Sequence, residues 1–360
     1  MKAAVLEAFN SPLVIRELEL EQPGPMEVLV RTAAVGVCHS DLLAWQGFRP
    51  ALPLPAVLGH EVAGVVELVG SGITDLSPGD HVVGTLSVFC GTCPQCVCGR
   101  QVLCQDTSVK QPPGQAKRIR HGSEHISQVY NLGAFAEQLL VHRNALVKIR
   151  ADMPLDRAAL LGCAVITGTG AVFRTAQVAP GSTVVVVGCG GIGLSVINGA
   201  RIAGAAVIVA VDMSPHKEAL TRQFGATHFI SAAECDVVAA VKSLTDGGAD
   251  YTFECIGNAH TVEQCWTMLR PAGIATVLGA FGPTSKVSLG AADFLLEKQL
   301  RGSMLGSSKS SIDIPRLVEF YMQGRLMLDE LISHRFGLAD VNEAMGAMKS
   351  GEFARSVIVF

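Results

Sequence analysis

Residues 183–212 read TVVVVGCGGIGLSVINGARIAGAAVIVAVD and contain the pattern that decides the fold. A run of valines is followed by a glycine-rich turn, a segment of helical character and a second apolar run. Apolar strands that alternate with helical segments are typical of a parallel sheet with helices on both faces. The stretch therefore predicts a doubly wound α/β domain of the Rossmann type.

The turn in this stretch has the spacing G-x-G-x-x-G, and its glycines are Gly188, Gly190, Gly191 and Gly193. The first glycine permits the tight turn, the second lets the backbone approach a pyrophosphate, and the last allows the helix to pack closely on the strand. The N-terminus of the following helix favours an anion. The same glycines could serve packing alone in any doubly wound sheet, so the spacing by itself only indicates a dinucleotide site.

Asp212 ends the second apolar strand, 19 residues after Gly193. A carboxylate at this position can bind both ribose hydroxyls of NAD, and it repels the additional phosphate of NADP. The alternative is an aspartate that only meets solvent at a strand end. We expect NAD to be the coenzyme.

A second pattern is a cluster of thiols in the segment CGTCPQCVCGRQVLC, at Cys90, Cys93, Cys96 and Cys104. Four thiolates with this spacing can enclose one tetrahedral Zn²⁺ in a closed structural site. Iron–sulfur proteins also begin C-x2-C-x2-C, but their fourth cysteine usually follows after three residues and precedes a proline. Here seven residues intervene and Gln105 follows. We therefore favour zinc, and we interpret Cys98 as a non-ligand.

The chain has 360 residues, is 49% hydrophobic and has a formal net charge of −4. This length supports two domains, and the charge gives no electrostatic reason to bind nucleic acid. The N-terminus MKAAVLEAFN has no apolar signal segment, and the longest apolar stretch, 194–211, is interrupted by Asn198 and Arg201. Because eleven cysteines suit a reducing compartment, we expect a cytoplasmic protein without a membrane partner.

The first 150 residues contain short β-rich runs, at 28–30, 62–69 and 81–83, separated by Gly and Pro. Later strands are predicted at 251–255, 275–278 and 300–304, and the closing run SVIVF is expected to return to the first domain. Residues 105–131 are polar and show no periodicity. They predict a long surface loop beside the cysteine cluster.

Three other candidate metal ligands, Cys38, His60 and Cys163, are far apart in the sequence. Three protein ligands leave the fourth position of a zinc ion open, as a catalytic site requires. Individually these residues prove little, because a lone buried cysteine usually behaves as a small hydrophobic residue. Their meaning depends on the motifs around them.

These motifs occur in a fixed order along the chain: GVCHSD (36–41), GHEVAGVV (59–66), the four-cysteine segment, LLGCAVITG (160–168) and GCGGIG (188–193). In that order the chain resembles the zinc-dependent medium-chain alcohol dehydrogenases over essentially its whole length. The resemblance implies a β-rich GroES-like catalytic domain with both zinc sites (1–164), a Rossmann NAD-binding domain (165–302) and a C-terminal return to the catalytic domain (303–360). It also implies two Zn²⁺ per subunit and a reversible oxidation of an alcohol to an aldehyde with NAD.

The resemblance implies a role for single residues as well. Cys38, His60 and Cys163 match the catalytic zinc ligands, and Glu61 matches a carboxylate that can approach the metal during ligand exchange. Asp41 matches the acceptor of the second ring N–H of His60, and Ser40 the hydroxyl that takes the substrate's proton. Further matches are coenzyme contacts at His39, Thr167, Lys217 and Arg355, and pocket residues at Phe48 and Leu86.

Three positions depart from the pattern of many members. Leu43 replaces a histidine that ends the proton relay, so the proton must leave through the coenzyme ribose and water or through another group. His39 replaces a permanently basic residue, and its charge would vary with pH. Leu86 replaces a larger aromatic ring of some relatives, which favours aryl or allylic alcohols over ethanol.

Two other functions are compatible with these motifs. A thiol-dependent formaldehyde dehydrogenase, of glutathione or mycothiol type, would share every zinc motif. Glutathione-type members carry acidic residues before the GHE motif and an arginine soon after the structural cysteines, whereas residues 42–59 contain no Asp or Glu and residues 105–109 no Arg. A non-catalytic zinc-binding and NAD-binding protein could keep the fold, although every ligand and Ser40 are retained. The long loop after the cysteines resembles that of dimeric members, so we expect a homodimer.

Overall fold

A computed structural model describes residues 1–48, 52–110, 118–350 and 354–360. The chain divides into two compact units, each described by itself. Unit 1 comprises Met1–Cys163, Lys309–Gly324 and Leu328–Phe360, and unit 2 comprises Ala164–Ser308 and Arg325–Met327. Residues 303–308 thus lie in unit 2 and not with the C-terminal segment, because the hydroxyls of Ser303 and Ser307 hydrogen-bond to that of Thr175 at 2.7 and 2.9 Å.

Unit 1 is rich in β-structure, as its sequence indicates. Its strands are β1 (Lys2–Leu6), β2 (Val14–Glu17), β3 (Glu19–Leu20), β4 (Glu27–Val37), β5 (Ala56–Val57), β6 (Glu61–Val69), β7 (His81–Gly84), β8 (Ile119–His121), β9 (Glu124–Gln128), β10 (Gln138–His142), β11 (Leu146–Lys148), β18 (Ile332–Gly337) and β19 (Arg355–Val359). Its helices are α1 (His39–Trp45), α2 (Pro94–Val97), α3 (Leu155–Ala158), α9 (Ser310–Met322) and α10 (Val341–Ser350).

The strands of unit 1 form two sheets around an apolar core. One sheet has the order β2-β1-β5-β9-β8-β3, and the other has the order β11-β7-β6-β4-β19-β18, with β10 also paired to β4. The long strand β4 ends at Val37, directly before Cys38, and β6 begins at Glu61, directly after His60. The closing strand β19 lies antiparallel to β4, with Ser356 opposite Val37. Three strand ends therefore meet where the candidate ligands lie.

The expectation of a long loop over residues 105–131 is wrong in its second half. Strands β8 and β9 form a hairpin in which Ile119 pairs with Ile126, and both side chains are buried. The sequence hides this hairpin because each short strand buries few apolar side chains among charged and polar neighbours, so no alternation is visible. Residues 111–117 of the predicted loop lie outside the described residues.

Unit 2 confirms the predicted doubly wound α/β fold. Its strands are β12 (Thr183–Val187), β13 (Val207–Asp212), β14 (His228–Ser231), β15 (Ala249–Glu254), β16 (Leu269–Val277) and β17 (Gln299–Gly302), and all pairs are parallel. Its helices are α4 (Ala164–Gly170), α5 (Gly191–Ala203), α6 (Glu218–Phe224), α7 (Val237–Leu244) and α8 (Ala259–Thr267).

The sheet of unit 2 has the order β14-β13-β12-β15-β16-β17. The direction in which successive strands are added reverses between β12 and β15. In such sheets a ligand binds outside the carboxyl ends of the strands at this switch point. The fold therefore places a candidate coenzyme site between the turns that follow β12 and β15.

No single helix among the described residues is long and apolar enough to cross a membrane. Two consecutive helical segments reach the length and apolar composition of a membrane span only when they are counted together. The first is α3 with the 3₁₀ turn Ala159–Gly162, and the second is α4 with the π-helical turn Ala171–Ala176.

Candidate active site

The buried carboxylate of Asp41 organises the site in unit 1. Its Oδ2 accepts the N–H of Cys38 at 3.1 Å, and its Oδ1 accepts the N–H of Gly59 and the Nδ1–H of His60, both at 3.0 Å. Asp41 lies in the first turn of α1, where an acidic side chain stabilises the helix N-terminus. Because Nδ1 of His60 carries the donated hydrogen, Nε2 is left as a lone-pair ligand.

Four buried side chains converge beside this carboxylate. The candidate ligand atoms of Cys38, His60, Glu61 and Cys163 all lie within 4.8 Å of one another. Within the described part of the chain, Nε2 of His60 has no hydrogen-bond partner although it is buried. An orphaned ring nitrogen between two thiols fits a metal ion that takes soft sulfur and imidazole ligands, and zinc is the common case. The predicted set Cys38, His60 and Cys163 is thus brought together.

The two thiols of this cluster differ in acidity. The hydrogen bond with Cys163 holds the pKa of Cys38 well below its usual range in spite of burial, and the charge of Arg355 acts in the same direction. The same hydrogen bond, together with burial, raises the pKa of Cys163. A metal ion takes cysteine ligands as thiolates, so its binding here would release any proton that the two sulfur atoms still carry.

A buried ion pair lies beside the ligands. Nη2 of Arg355 is 3.2 Å from Oε1 of Glu61, and Nη1 donates to the carbonyl of Val37 at 3.1 Å. Burial raises the pKa of Glu61 to about 8, while the charge of Arg355 opposes this shift. Arg355 is only 4% exposed. The structure thus gives Arg355 a place beside the candidate metal, and the coenzyme contact implied for it stays a prediction.

Tyr130 also belongs to the site, although sequence reasoning did not find it. Its ring lies 4.7 Å from the ring of His60, and its hydroxyl donates to the backbone carbonyl of Ser40 at 3.1 Å. Its positive φ of 55° places it in a turn that no pattern around residue 130 predicts. Tyr130 therefore fixes the backbone that carries Ser40.

For the remaining predicted residues of unit 1, the structure gives the burial but no contact to this centre. Ser40 and Leu43 are half-buried in α1, whose first residue, His39, is exposed. Leu86 is half-buried against the core and Phe48 is exposed. Their implied roles stay predictions.

The four-cysteine segment forms a second cluster in unit 1. Its sulfur atoms lie within 4.8 Å of one another, and three pairs are separated by 3.7–3.9 Å. Zinc–sulfur bonds of about 2.3 Å in a tetrahedron place sulfur atoms about 3.8 Å apart, so the cluster fits a closed zinc site. Backbone N–H groups of Gln105 and Cys96 lower the pKa of Cys93 to about 6, which favours the thiolate. Cys98 is exposed and outside the cluster.

The glycine-rich turn of unit 2 has the geometry of a dinucleotide site. Gly188 has a φ of +93°, and a Cβ on Gly193 would lie 1.9 Å from the carbonyl oxygen of Gly188, so neither position tolerates a side chain. Asp212 accepts the N–H of Cys189 at 2.8 Å and lies 3.0 Å from Nζ of Lys217. Thr167 is buried in α4. The structure thus brings together the turn, Asp212 and Lys217, while the coenzyme contacts implied for Asp212, Lys217 and Thr167 stay predictions.

A dinucleotide fold that carries one closed four-thiolate site and one open site of two thiols and an imidazole defines a zinc-dependent dehydrogenase. The family described as alcohol dehydrogenase GroES-like domain matches residues 24–151, and the family described as zinc-binding dehydrogenase matches residues 191–323.

Three relatives are similar over the whole chain. The alcohol dehydrogenase class-3 of Cereibacter sphaeroides is 36% identical, with 100% of this chain and 99% of the relative covered. The S-(hydroxymethyl)glutathione dehydrogenase of Paracoccus denitrificans is 34% identical, with 100% and 99% covered. The crystal structure of benzyl alcohol dehydrogenase from Acinetobacter calcoaceticus has a TM-score of 0.94 at 33% identity, with 100% of this chain and 99% of that chain covered.

The chain belongs to the zinc-dependent medium-chain alcohol dehydrogenase family, as its motifs predict. It is an oxidoreductase that uses zinc and a nicotinamide dinucleotide.

The two metal sites predict different consequences of losing a cysteine. Cys93→Ser removes one of four ligands from the closed cluster, so it should lose one of two zinc ions per chain. Because a structural metal contributes directly to the free energy of folding, the Tm of this variant should fall, by about 2–4 °C for each kcal/mol of stability lost. Cys98→Ser is the matched control in the same segment and should keep both metals and the original Tm. Metal analysis and thermal unfolding measure both; a Cys93→Ser chain with two zinc ions and unchanged Tm would contradict the assignment.

Proposed function

We propose that the protein oxidises bulky primary alcohols of the aryl or allylic class to aldehydes, with NAD as the hydride acceptor. The convergence of Cys38, His60 and Cys163 is the observation that carries the reaction type. Support for the substrate class comes from the half-buried Leu86, where some relatives have a larger ring, and from the similarity to a benzyl alcohol dehydrogenase.

Cys38, His60 and Cys163 would hold the zinc ion, which would supply Lewis-acid chemistry toward the alcohol oxygen, and a bound nicotinamide would serve as the hydride acceptor. The residues of the chain orient these groups. Asp41 fixes the ring of His60, and Tyr130 fixes the backbone of Ser40. In our proposal the Ser40 hydroxyl takes the alcohol proton and passes it on. The reaction then releases one aldehyde, one NADH and one proton.

Glu61 and Arg355 supply charge balance behind the ligands. Two thiolates and one carboxylate in a buried cluster repel each other, and the guanidinium 3.2 Å from Glu61 compensates part of this repulsion. The ion pair with Arg355 keeps the carboxylate of Glu61 beside the ligands, where the resemblance implies a carboxylate that can approach the metal during ligand exchange.

A thiol-dependent formaldehyde dehydrogenase is the second candidate. It is favoured by the similarity to class-3 alcohol dehydrogenases and to an S-(hydroxymethyl)glutathione dehydrogenase. Glutathione-type members have acidic residues before the GHE motif and an arginine after the structural cysteines. In this chain residues 42–59 contain no Asp or Glu, and residues 105–109 contain no Arg that could bind a carboxylate of such a substrate. We therefore place it second.

We also propose a homodimer. Strand β17 lies at the edge of the unit 2 sheet, and an edge strand can pair with another chain. Next to it in the sequence, the 3₁₀ helix Ala291–Leu296 exposes Phe294, Leu295 and Leu296, with Leu295 87% exposed. Apolar side chains next to an open sheet edge suit a second copy of the chain. Light scattering should give twice the chain mass of 37.8 kDa; the mass of one chain would contradict the proposal.

Asp212 should set the preference for NAD over NADP. Asp212→Asn keeps an oxygen that can accept the Cys189 N–H but removes the charge that repels a 2′-phosphate. The ratio of kcat/KM for NADP to that for NAD should rise by about tenfold, which corresponds to about 1.4 kcal/mol. Asp250→Asn, in β15 and remote from the glycine-rich turn, is the control and should leave the ratio unchanged. Equal use of both coenzymes by the unaltered enzyme would show that Asp212 does not face the ribose.

The substrate proposal predicts a higher kcat/KM for benzyl alcohol than for ethanol, because each additional buried CH₂ group contributes about 0.8 kcal/mol. Leu86→Trp should selectively lower kcat/KM for benzyl alcohol by overfilling the pocket. Leu68→Trp, at an exposed position in β6, should leave the ratio of the two alcohols unchanged. Initial rates with both alcohols measure this.

Two further results decide between the candidates. Ser40→Ala should lower kcat for both alcohols while NADH binding stays unchanged. An enzyme that prefers ethanol would refute the spacious pocket. Activity that appears only with formaldehyde and a low-molecular-weight thiol would establish the second candidate instead.

A further inference from the structure

A buried carboxylate in unit 2 has no part in the reaction described so far. Glu254 is the last residue of β15, and its side chain is fully buried. Its Oε1 accepts the backbone N–H groups of Ile256 at 3.0 Å, Gly257 at 2.8 Å and Asn258 at 3.4 Å, and the hydroxyl of Thr261 at 2.7 Å. One oxygen atom thus holds the whole turn of residues 255–258, here called the β15 turn.

The β15 turn packs against the glycine-rich turn. The N–H of Cys255 donates to the carbonyl of Val187 at 2.9 Å. A Cβ on Gly188 would lie 2.5 Å from Cγ1 of Ile256, so the two turns are in direct contact at the first glycine of the motif. These are the turns that follow β12 and β15, on the two sides of the topological switch point where a dinucleotide binds.

Glu254 also connects the end of the next strand. Its backbone carbonyl accepts the N–H groups of Leu278 at 2.9 Å and Gly279 at 3.2 Å. A Cβ on Gly279 would lie 2.0 Å from the nitrogen of Gly257 and 2.6 Å from Oε2 of Glu254. The segments after β15 and β16 therefore pack so closely that no side chain fits at Gly279.

Burying a carboxylate is costly unless strong hydrogen bonds compensate. Here several donors converge on one oxygen, and the adjacent N-terminus of α8 favours a negative charge. A simple turn needs no such group. The arrangement is explained if coenzyme binding requires a fixed backbone conformation of the β15 turn.

We propose that Glu254 is a positioning residue for the coenzyme. It holds the β15 turn against the glycine-rich turn before the dinucleotide arrives, so binding does not have to order this backbone. The positioned turn should contribute equally to coenzyme binding in the ground state and in the transition state. Loss of this positioning should therefore raise KM and Kd for the coenzyme and change kcat much less.

Three variants separate the position of the oxygen from its charge. Glu254→Gln keeps an oxygen with the same reach and removes the charge, and the Kd for NADH should stay within about threefold of the original value. Glu254→Asp keeps the charge but withdraws the oxygen by about one bond length, and Glu254→Ala removes it. Both should raise Kd by about tenfold or more, while kcat at saturating NAD changes by less than about threefold.

Two readouts do not depend on turnover. NADH fluorescence titration gives Kd, and amide hydrogen exchange of the coenzyme-free protein reports on the β15 turn. Exchange at residues 256–258 should become faster in Glu254→Asp and Glu254→Ala but not in Glu254→Gln. Asp250→Asn is the matched control, because Asp250 accepts the N–H of Thr183 at 2.7 Å near the opposite end of the same strand. It should leave Kd unchanged.

The proposal is overturned if Glu254→Asp binds NADH within twofold of the unaltered protein. It is also overturned if Glu254→Gln binds as weakly as Glu254→Asp, because charge and not position would then be decisive. Should Glu254→Ala fail to fold, the comparison of the Gln and Asp variants still decides. None of these results depends on which alcohol the enzyme oxidises.

Discussion

The hydrogen bonds of the Asp41 carboxylate are the constraint on which the metal centre depends. They join the backbone of Cys38 at the end of β4, the backbone of Gly59 before β6, and the ring of His60. Two ligands from distant parts of the sequence are thereby fixed relative to each other by one buried group. The same bonds hold a hydrogen on Nδ1 of His60, so Nε2 is the nitrogen that a metal would take.

A buried cluster of this composition is stable only if its charge is compensated. The side chains of Cys38 and Cys163 are hydrogen-bonded to each other, and Arg355 lies beside Glu61. A divalent cation would bind both sulfur atoms and would supply a partner for Nε2 of His60. The electrostatics therefore favour a metal ion at this position, in addition to the geometry.

The sequence predicted those parts of the sites in which the chemistry is contiguous. The four-cysteine segment and the glycine-rich turn each carry their spacing within a short stretch, so a fixed local geometry follows from the residues alone. Cys38, His60 and Cys163 could be connected only through resemblance, because chain topology brings them together. The sequence did not predict the roles of Tyr130 and Glu254 for the same reason. Each acts through contacts that depend on the turn in which it lies, and neither residue type is distinctive. The β8–β9 hairpin was not predicted because Ile119 and Ile126 are isolated apolar residues among polar neighbours.

If Cys38, His60 and Cys163 hold a zinc ion with one position left open, anomalous diffraction at the zinc edge from crystals of the protein as purified should show it. We expect two peaks per chain, one enclosed by the four-cysteine segment and one about 2.3 Å from both Sγ atoms and about 2.0 Å from Nε2 of His60. A single peak at the four-cysteine segment, with hydrogen-bonded thiols at Cys38 and Cys163, would contradict it.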